Sequence, residues 1–256
     1  MSTHRPRKRF GQHFLVDPGV IGAIVDAIRP APGDMIVEIG PGTGALTRTL
    51  ARTAGTLHAI ELDRDLAAAL RDEYAGFDNV IIHEADALAF DFGALGSDLR
   101  IVGNLPYNIS TPLLFHLMDY RDAIVDMHFM LQKEVVDRMA AEPGTKAYGR
   151  LGIMLGCHFD IESLFDVDRS AFDPPPDVTS AIVRLVPLPA GTYDIEDEER
   201  LSRLVAQAFS QRRKTIRNAL RGIADEETLE FAGIDPGLRA EAIPIADFVR
   251  LANTLE

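Results

Sequence analysis

The stretch Val37-Glu38-Ile39-Gly40-Pro41-Gly42-Thr43-Gly44 decides the fold of this 256-residue chain. Its apolar start belongs to a run, 35–39, that predicts a buried strand, and the glycines after it predict a tight turn into a helix that starts near Gly44. Glycine lets a ligand approach the backbone closely, and the first turn of a helix offers N–H groups without partners in the helix. The stretch therefore predicts a strand, a ligand-binding loop and a helix, although a tight turn without a ligand would give the same pattern.

Short apolar runs alternate with helical patterns around this unit, from residue 18 to about 140. The predicted strands are 35–39, 56–62, 80–83, 99–102 and 124–130, and helices between them start near Gly44, Arg64 and Ser110. Strands joined by helices of this length predict right-handed βαβ units, in which a mostly parallel sheet carries helices on both faces. Two later strands, 159–167 and 180–186, flank a proline-rich loop and could pair antiparallel on the same sheet. The expected class is therefore α/β.

A linker rich in proline and glycine, Pro187-Leu188-Pro189-Ala190-Gly191, predicts the end of the first domain. Beyond Ile195 the apolar residues have helical spacing, and one stripe comprises Leu201, Leu204, Val205, Ala208 and Phe209. We therefore expect two domains: an α/β domain over residues 1–189 and a smaller all-α domain over residues 190–256.

The charge of the chain is unevenly distributed. The 26 basic and 39 acidic residues give a net charge of −13, which by itself argues against a polyanionic partner. However, residues 1–12 and 201–224 together hold ten basic residues and no acidic one, so the rest of the chain carries −23. In a helix after Phe209, Arg213, Arg217 and Arg221 would form one stripe with Lys214 beside it. We expect this stripe to contact phosphates rather than only solvent, and the start of the chain to be a flexible basic arm for the same partner.

Several classes of protein are excluded by other features. The single cysteine, Cys157, cannot form an internal disulfide, which excludes a disulfide-rich secreted scaffold. No secretory signal follows the basic start, and the uncharged run 101–118 contains Asn104, Asn108 and two prolines, which argues against a membrane span. We therefore expect a cytoplasmic protein without a membrane segment.

Carboxylates near the ends of the first three predicted strands bear on which of two kinds of nucleotide cofactor the loop could hold. Through Ala45 the loop also matches the dinucleotide fingerprint G-x-G-x-x-A, and Glu61, at the end of the second strand, suits a ribose hydroxyl in either case. Glu38 stands where a dinucleotide site usually has an apolar residue, and its carboxylate could face the cationic part of S-adenosylmethionine or order the loop. Asp86, after the third strand, could accept a hydrogen bond from the adenine amine, or could only form a turn or helix cap. Glu38 and Asp86 favour a methyltransferase over a nicotinamide enzyme.

The tetrapeptide Asn104-Leu105-Pro106-Tyr107, directly after the fourth strand, indicates a reaction. An exocyclic adenine nitrogen is a poor nucleophile because its lone pair is delocalised into the ring. The Asn104 side-chain oxygen and a backbone carbonyl of Leu105 or Pro106 could accept its two N–H bonds and aim the lone pair at a methyl group. Tyr107 could stack on a base taken out of its helix or loop. Such catalysis uses positioning and electrostatics without a covalent intermediate or a metal; the alternative is a turn that only joins strand and helix.

These motifs belong to a larger set that covers the chain from residue 7 almost to its end. The set comprises 9–15, 38–44, 60–63, 104–110, 131–135, 148–151, 172–185 and 209–220, the last with the core Gln211-Arg212-Arg213-Lys214-Thr215. In this combination the sequence resembles the ribosomal RNA adenine dimethyltransferases, and within them the bacterial small-subunit enzymes rather than the antibiotic-resistance methylases of large-subunit RNA. The resemblance implies a Rossmann-like class I methyltransferase sheet in the first domain and contact with RNA or the ribosome for the second.

The resemblance also implies the ligands. The cofactor is expected to be S-adenosylmethionine, with no metal, and the glycine-loop residues Glu38 and Gly42 would join the residues that the family uses to bind it. Those family positions are His13, Leu15, Gly40, Glu61, Asp86 and Asn104; many relatives have asparagine in place of His13. The substrate would be two adjacent adenosines in a hairpin near the 3′ end of small-subunit rRNA, each dimethylated on N6 within an immature 30S particle, which links the protein to subunit maturation.

Phe172, just before the proline run, could place a second ring over the target base opposite Tyr107, or could anchor its loop in the core.

The candidate RNA-binding residues are Arg7, Lys8, Arg9, Arg212, Arg213, Lys214, Arg217 and Arg221. Since no apolar surface stripe demands a dimer, we expect a monomer. Two alternative functions stay open: a DNA adenine methylase, which needs the same Asn-x-Pro-aromatic turn, and a non-catalytic assembly factor that only retains the cofactor.

Overall fold

The computed structural model describes residues 13–255. They divide into two compact units, the first made of residues up to 136 together with 162–187, and the second of 137–161 together with the residues from 188 onward. Arg7, Lys8 and Arg9, which we expect to bind RNA, lie outside the described residues.

From residue 35 to residue 132, the first unit alternates strands and helices in the order that the sequence predicts. Its elements are β1 (Phe14–Leu15), α1 (Pro18–Ile28), β2 (Met35–Ile39), α2 (Thr47–Thr53), β3 (Thr56–Glu61), α3 (Arg64–Glu73), β4 (Val80–Glu84), β5 (Leu99–Asn104), α4 (Ser110–Met118) and β6 (Ile124–Gln132). Further along the chain come α5 (Lys133–Met139), α6 (Arg150–Gly156), β7 (Phe159–Val167), β8 (Phe172–Asp173) and β9 (Ser180–Pro187), of which α6 lies in the second unit while α5 and β7 cross the unit boundaries.

Seven strands form one mixed sheet in the order β4-β3-β2-β5-β6-β9-β7. The pairs β2–β3, β2–β5, β3–β4 and β5–β6 are parallel, and β9 runs antiparallel to β6. All seven predicted strands are present, and the α/β class is confirmed. Because β3 and β5 flank β2, the strand order reverses there, and the crevice at the carboxyl ends of such strands is where open α/β sheets bind ligands.

The backbone is most tightly constrained where β2 and β5 end. A Cβ atom on Gly103 would lie 2.5 Å from the Ile39 carbonyl oxygen, so only glycine lets β5 pair with β2 at this point. The following residue, Asn104, is thereby placed beside the glycine loop. The sequence predicts that a helix starts near Gly44. In the structure, residues 42–46 form turns, and α2 begins only at Thr47.

A two-stranded ladder that the sequence does not predict joins the N-terminal segment to the proline-rich loop. In it Leu15 of β1 pairs with Phe172 of β8, and Phe14 pairs with Asp173. Each strand has only two residues, which is too short for a periodic pattern to be visible. The ladder brings His13, directly before β1, to the same end of the sheet as the loop after β5.

The second unit is helical. After α6 it contains α7 (Glu198–Ser210), α8 (Ile216–Ala219), α9 (Glu226–Phe231) and α10 (Ile245–Thr254). The sequence boundary at 189/190 leaves 137–161 in the first domain, whereas the structure groups them with the C-terminal residues. The reason is packing: α6 contacts α7, and the Tyr148 hydroxyl donates a hydrogen bond to the Ile243 carbonyl at 3.0 Å.

The predicted helical stripe of arginines is wrong. Helix α7 ends at Ser210, Arg213 lies in a turn, and Arg217 lies in the four-residue helix α8, which ends before Arg221. The i, i+4, i+8 spacing therefore does not place these side chains on one helix face.

None of the helices within 13–255 is long and apolar enough to cross a bilayer.

Candidate active site

A single pocket at the carboxyl ends of the central strands gathers most of the predicted site residues. The predicted site residues that line this pocket are His13, Leu15, Glu38, Gly40, Gly42, Glu61, Asp86, Asn104, Leu105, Pro106 and Tyr107. They come from the segment around β1, the glycine loop after β2, the ends of β3 and β5, and the loop after β4. Of the predicted catalytic and cofactor-binding residues, Phe172 is the one that the pocket lining does not include.

Two glycines form the floor of the loop in a conformation that other residues rarely adopt. Gly40 has φ +67° and Gly42 has φ +57°, which is the left-handed region where a Cβ atom is strained. A Cβ on Gly42 would also lie 3.1 Å from the Phe14 ring. The Gly40 N–H donates to the Ile60 carbonyl at 2.9 Å, so the start of the loop is fixed against β3.

Glu61 connects the end of β3 to this loop. Its Oε2 accepts from the Gly42 N–H at 3.1 Å, and its Oε1 accepts from the Asp63 N–H at 2.8 Å. Burial raises the pKa of Glu61, while the hydrogen bonds from the backbone amides of Asp63 and Gly42 lower it. A carboxylate with further lone pairs at the wall of the pocket can accept hydrogen bonds from the hydroxyls of a ribose.

Glu38 is the most deeply buried acid in the pocket, with 2% of its surface exposed. Its Oε2 accepts a hydrogen bond from Thr47 Oγ1 at 2.7 Å, at the first residue of α2. Burial raises the pKa of Glu38 to about 7, and the negative charge of Glu61 adds to this effect. Glu38 therefore orders the junction of loop and helix, and a cation in the pocket would favour its ionised form.

Asp86 forms the turn that the sequence gives as one of its two possible roles, and it also lines the pocket. Its Oδ1 accepts from the Leu88 N–H at 2.9 Å, which fixes the turn after β4. Asp86 is exposed and lines the pocket, and its Oδ2 has no hydrogen-bond partner within residues 13–255. The turn thus holds one carboxylate oxygen and leaves the other for a ligand.

The Asn104 amide has a defined orientation. Its Nδ2 donates to the His13 carbonyl at 3.0 Å, and since a carbonyl can only accept, the nitrogen must face His13. The Oδ1 atom is then left as an acceptor. Next along the chain, the Leu105 N–H donates to the Met130 carbonyl at 3.2 Å, which anchors the turn on β6.

Tyr107 is half-buried at the end of this turn, and its Oη lies 2.7 Å from Ser180 Oγ. The His13 ring stacks on it, with the ring centroids 6.2 Å apart and the planes at 23°. His13 Nδ1 in turn donates to the Pro174 carbonyl at 2.8 Å. No sequence pattern indicates Ser180 or the Pro174 contact, because only the fold brings these distant segments together.

Phe172 does not stand where the base-stacking prediction needs it. Its side chain is 3% exposed and belongs to the hydrophobic core with Leu15, Val167 and Ile182. Its partner in the β1–β8 ladder is Leu15, which is itself buried and borders the pocket. Phe172 therefore has the position expected for its second possible role, a core residue that anchors its loop.

The five described basic candidates in the second unit fall into two groups. Arg212 donates to the carbonyls of Lys146 and Tyr148, and Arg217 pairs with Glu226, so both have partners within the protein. The other three are exposed and form no ion pair within the described part of the chain; they are Arg213, Lys214 and Arg221. Nor do the described residues contain a group of three side chains that could hold a metal ion.

Comparisons with known protein sequences agree on one family. The family described as ribosomal RNA adenine dimethylase matches residues 3–256. "Ribosomal RNA small subunit methyltransferase A" of Aromatoleum aromaticum is 58% identical and covers 99% of this chain and 95% of its own length. The protein of the same name from Laribacter hongkongensis is 56% identical over 99% of this chain and 97% of its own length.

Two solved structures have the same fold. A dimethyladenosine transferase from Plasmodium falciparum has a TM-score of 0.79 at 29% identity and covers 93% of this chain and 96% of its own. The 23S rRNA methyltransferase ErmE has a TM-score of 0.76 at 28% identity and covers 94% of this chain and 99% of its own. The chain belongs to the ribosomal RNA adenine dimethylase family of methyltransferases.

Proposed function

We propose that this protein transfers methyl groups from S-adenosylmethionine to N6 of two adjacent adenosines in the hairpin near the 3′ end of small-subunit rRNA. The observation that carries the proposal is the Asn104 amide, whose oxygen is left as an acceptor at the pocket while its nitrogen is bound to the His13 carbonyl. The curated relatives are named as methyltransferases of the ribosomal RNA small subunit, which supports small-subunit rRNA as the substrate.

The pocket fits S-adenosylmethionine by the chemistry of its groups. Glycines at positions 40 and 42 leave a cradle in which a Cβ atom would be strained. Buried Glu38 favours a cationic ligand, Glu61 suits ribose hydroxyls, and the unpartnered Asp86 oxygen suits the amine of an adenine ring. When bound, the cofactor supplies an electrophilic methyl group on a sulfonium centre.

The residues after β5 prepare the target amine. Asn104 Oδ1 and the carbonyl of Leu105 or Pro106 accept the two N–H bonds of N6, which directs the nitrogen lone pair away from the ring. Tyr107 stacks on the extruded adenine and holds its plane. The Leu105 N–H anchors the turn on β6 and Ser180 contacts the ring, so the contribution of the protein would be positioning and electrostatic pre-organisation.

The RNA would be held by exposed basic residues, and those within residues 13–255 form no ion pair in that part of the chain. Exposed Arg213, Lys214 and Arg221 would contact phosphates, and Arg7, Lys8 and Arg9 would extend that contact. We further propose that the substrate is an immature 30S particle in the cytoplasm, that the enzyme acts as a monomer, and that the first domain catalyses while the C-terminal domain contacts the ribosome.

A methyl-transfer assay separates this proposal from its rivals. Tritiated S-adenosylmethionine is offered with unmethylated small subunits, naked rRNA or duplex DNA. We expect label in small-subunit rRNA, two dimethyladenosines per particle, and none in DNA. Label in duplex DNA would instead indicate a DNA methylase, and binding to small subunits without any transfer would indicate a non-catalytic assembly factor.

A further inference from the structure

The Tyr107 ring is held at two points by residues far away in the sequence. At its tip, the hydroxyl oxygen lies 2.7 Å from Ser180 Oγ, a contact across 73 residues. On one face, the His13 ring stacks at a centroid distance of 6.2 Å. The ring is half-buried, so part of its surface remains exposed.

Ser180 has little freedom to move. It is 0% exposed and is the first residue of β9, where it pairs with Gln132 at the end of β6. The neighbouring Thr179 carbonyl accepts a hydrogen bond from the Lys133 N–H at 2.9 Å. A fully buried hydroxyl is shielded from bulk water, so the contact with Tyr107 supplies a hydrogen bond that this group needs.

His13 is fixed by two further hydrogen bonds. Its Nδ1 donates to the Pro174 carbonyl at 2.8 Å, and its own carbonyl accepts from Asn104 Nδ2 at 3.0 Å. The ring that covers Tyr107 and the amide that faces the target amine thus depend on the same residue. The His13 ring and the Ser180 hydroxyl therefore contact Tyr107 on two sides.

We propose that Ser180 is a positioning residue for methyl transfer: its hydroxyl fixes Tyr107 so that the ring face away from His13 receives the target adenine at the depth where Asn104 can bind N6. The inference rests on the proposed function. Ser180 touches neither cofactor nor substrate in this arrangement and acts through Tyr107. If the ring could swing, the N6 amine of an adenine stacked on it would less often reach the Asn104 oxygen and the backbone carbonyl. The rate of methyl transfer would then fall, while binding of the cofactor would not change.

A double-mutant cycle tests this role. Ser180→Ala and Tyr107→Phe each remove one partner of the same hydrogen bond, while the phenyl ring of the second variant still stacks. We expect each variant to lower kcat on unmethylated small subunits about tenfold, and the double variant to be no worse than either single one. Ser180→Thr, which keeps the hydroxyl, should recover most of the rate.

Cofactor affinity and a matched control separate positioning from general damage. The Kd of S-adenosylmethionine, measured by calorimetry, should stay within about twofold of wild type in all four variants, because none of them removes a group assigned to the cofactor. Ser170→Ala removes an exposed hydroxyl that is bonded to Asp168, on the segment before Phe172, and should leave kcat unchanged.

Three results would overturn the inference while the proposed function stands: wild-type kcat in Ser180→Ala, rate losses that multiply in the double variant, or a loss of cofactor affinity as large as the loss of kcat. Absence of transfer by the wild-type protein would instead reject the proposed function, and the positioning role with it.

Discussion

Glu38 is the residue whose charge depends most on the contents of the pocket. Its pKa is raised to about 7 because it is buried beside Glu61, so near neutral pH a large fraction of it is protonated. A sulfonium or ammonium group in the pocket stabilises the carboxylate and lowers this pKa, so the cofactor binds with release of a proton. Affinity should then rise with pH up to about 7 and level off above it.

We expect the Kd of S-adenosylmethionine to fall about tenfold between pH 6 and pH 8. At pH 6, one unit below the pKa of Glu38, about a tenth of the protein has the ionised carboxylate that binds the cofactor, whereas at pH 8 nearly all of it does. Calorimetry at both pH values in buffers of different ionisation enthalpy reports the affinity and the proton release. The Glu38→Gln variant serves as the control: it should bind more weakly and with a flatter pH dependence. An equally steep dependence in that variant would show that another group titrates.

Single residues of the site differ in how well the sequence predicts them. Glu61, Asp86 and Asn104 each end a strand or follow one directly, and the carboxyl ends of neighbouring parallel strands must meet. Ser180 and Phe172 follow no such rule. Whether Phe172 faces a ligand or the core depends on its pairing with Leu15, which only the fold reveals.

At the scale of elements, one arginine connects the ends of several of them. Arg100, at the start of β5, is 14% exposed and donates to both carboxylate oxygens of Asp126 and to Asp34. It also donates to the carbonyls of Ile28 and Arg29, where α1 ends. This cluster fixes α1, β2, β5 and β6 at the end of the sheet opposite the pocket.

Arg100→Leu should lower the free energy of unfolding by about 3–5 kcal/mol, because it leaves two partly buried carboxylates without a counter-charge. Urea denaturation at pH 7 measures the loss. Arg71→Leu is the matched control: Arg71 pairs with Glu84, both are about half exposed, and such a surface pair contributes about 0–1 kcal/mol. Equal losses in the two variants would contradict the special role of the Arg100 cluster.

The failure of the predicted arginine helix has a tertiary cause. No glycine or proline interrupts 203–221, so local sequence favours a continuous helix. In the structure Thr215 is extended and bridges Arg239, and Ile216 is buried and donates its N–H to the Leu238 carbonyl. Burial of Ile216 and the bridge outweigh helix propensity, which a window along the sequence cannot detect.

For the whole molecule, the location of unneutralised positive charge decides which residues can bind RNA. Replacing Arg213, Lys214 and Arg221 with alanine should weaken binding to small subunits and reduce the slope of log affinity against log salt by about 1 for each phosphate that is no longer bound. Filter binding over a series of salt concentrations measures this slope, and cofactor affinity should not change.

Paired arginines provide the comparison for that series. Arg217→Ala should have a smaller effect because Glu226 already neutralises Arg217, and Arg203→Ala should have the smallest because Arg203 pairs with Glu199 on the exposed face of α7. A slope that does not change in the triple variant would exclude these three residues as phosphate-binding groups.

The central claim, that a fixed Asn104 amide activates the adenine amine, is tested most directly by Asn104→Ala. The measurement is the single-turnover rate of methyl transfer to unmethylated small subunits, together with the Kd of S-adenosylmethionine for the same preparation. We expect the rate to fall about a hundredfold or more, as when a pre-organised hydrogen-bonding group is removed from an active site, while the Kd stays within about threefold of wild type. Transfer at a rate near that of the wild-type protein would contradict the claim.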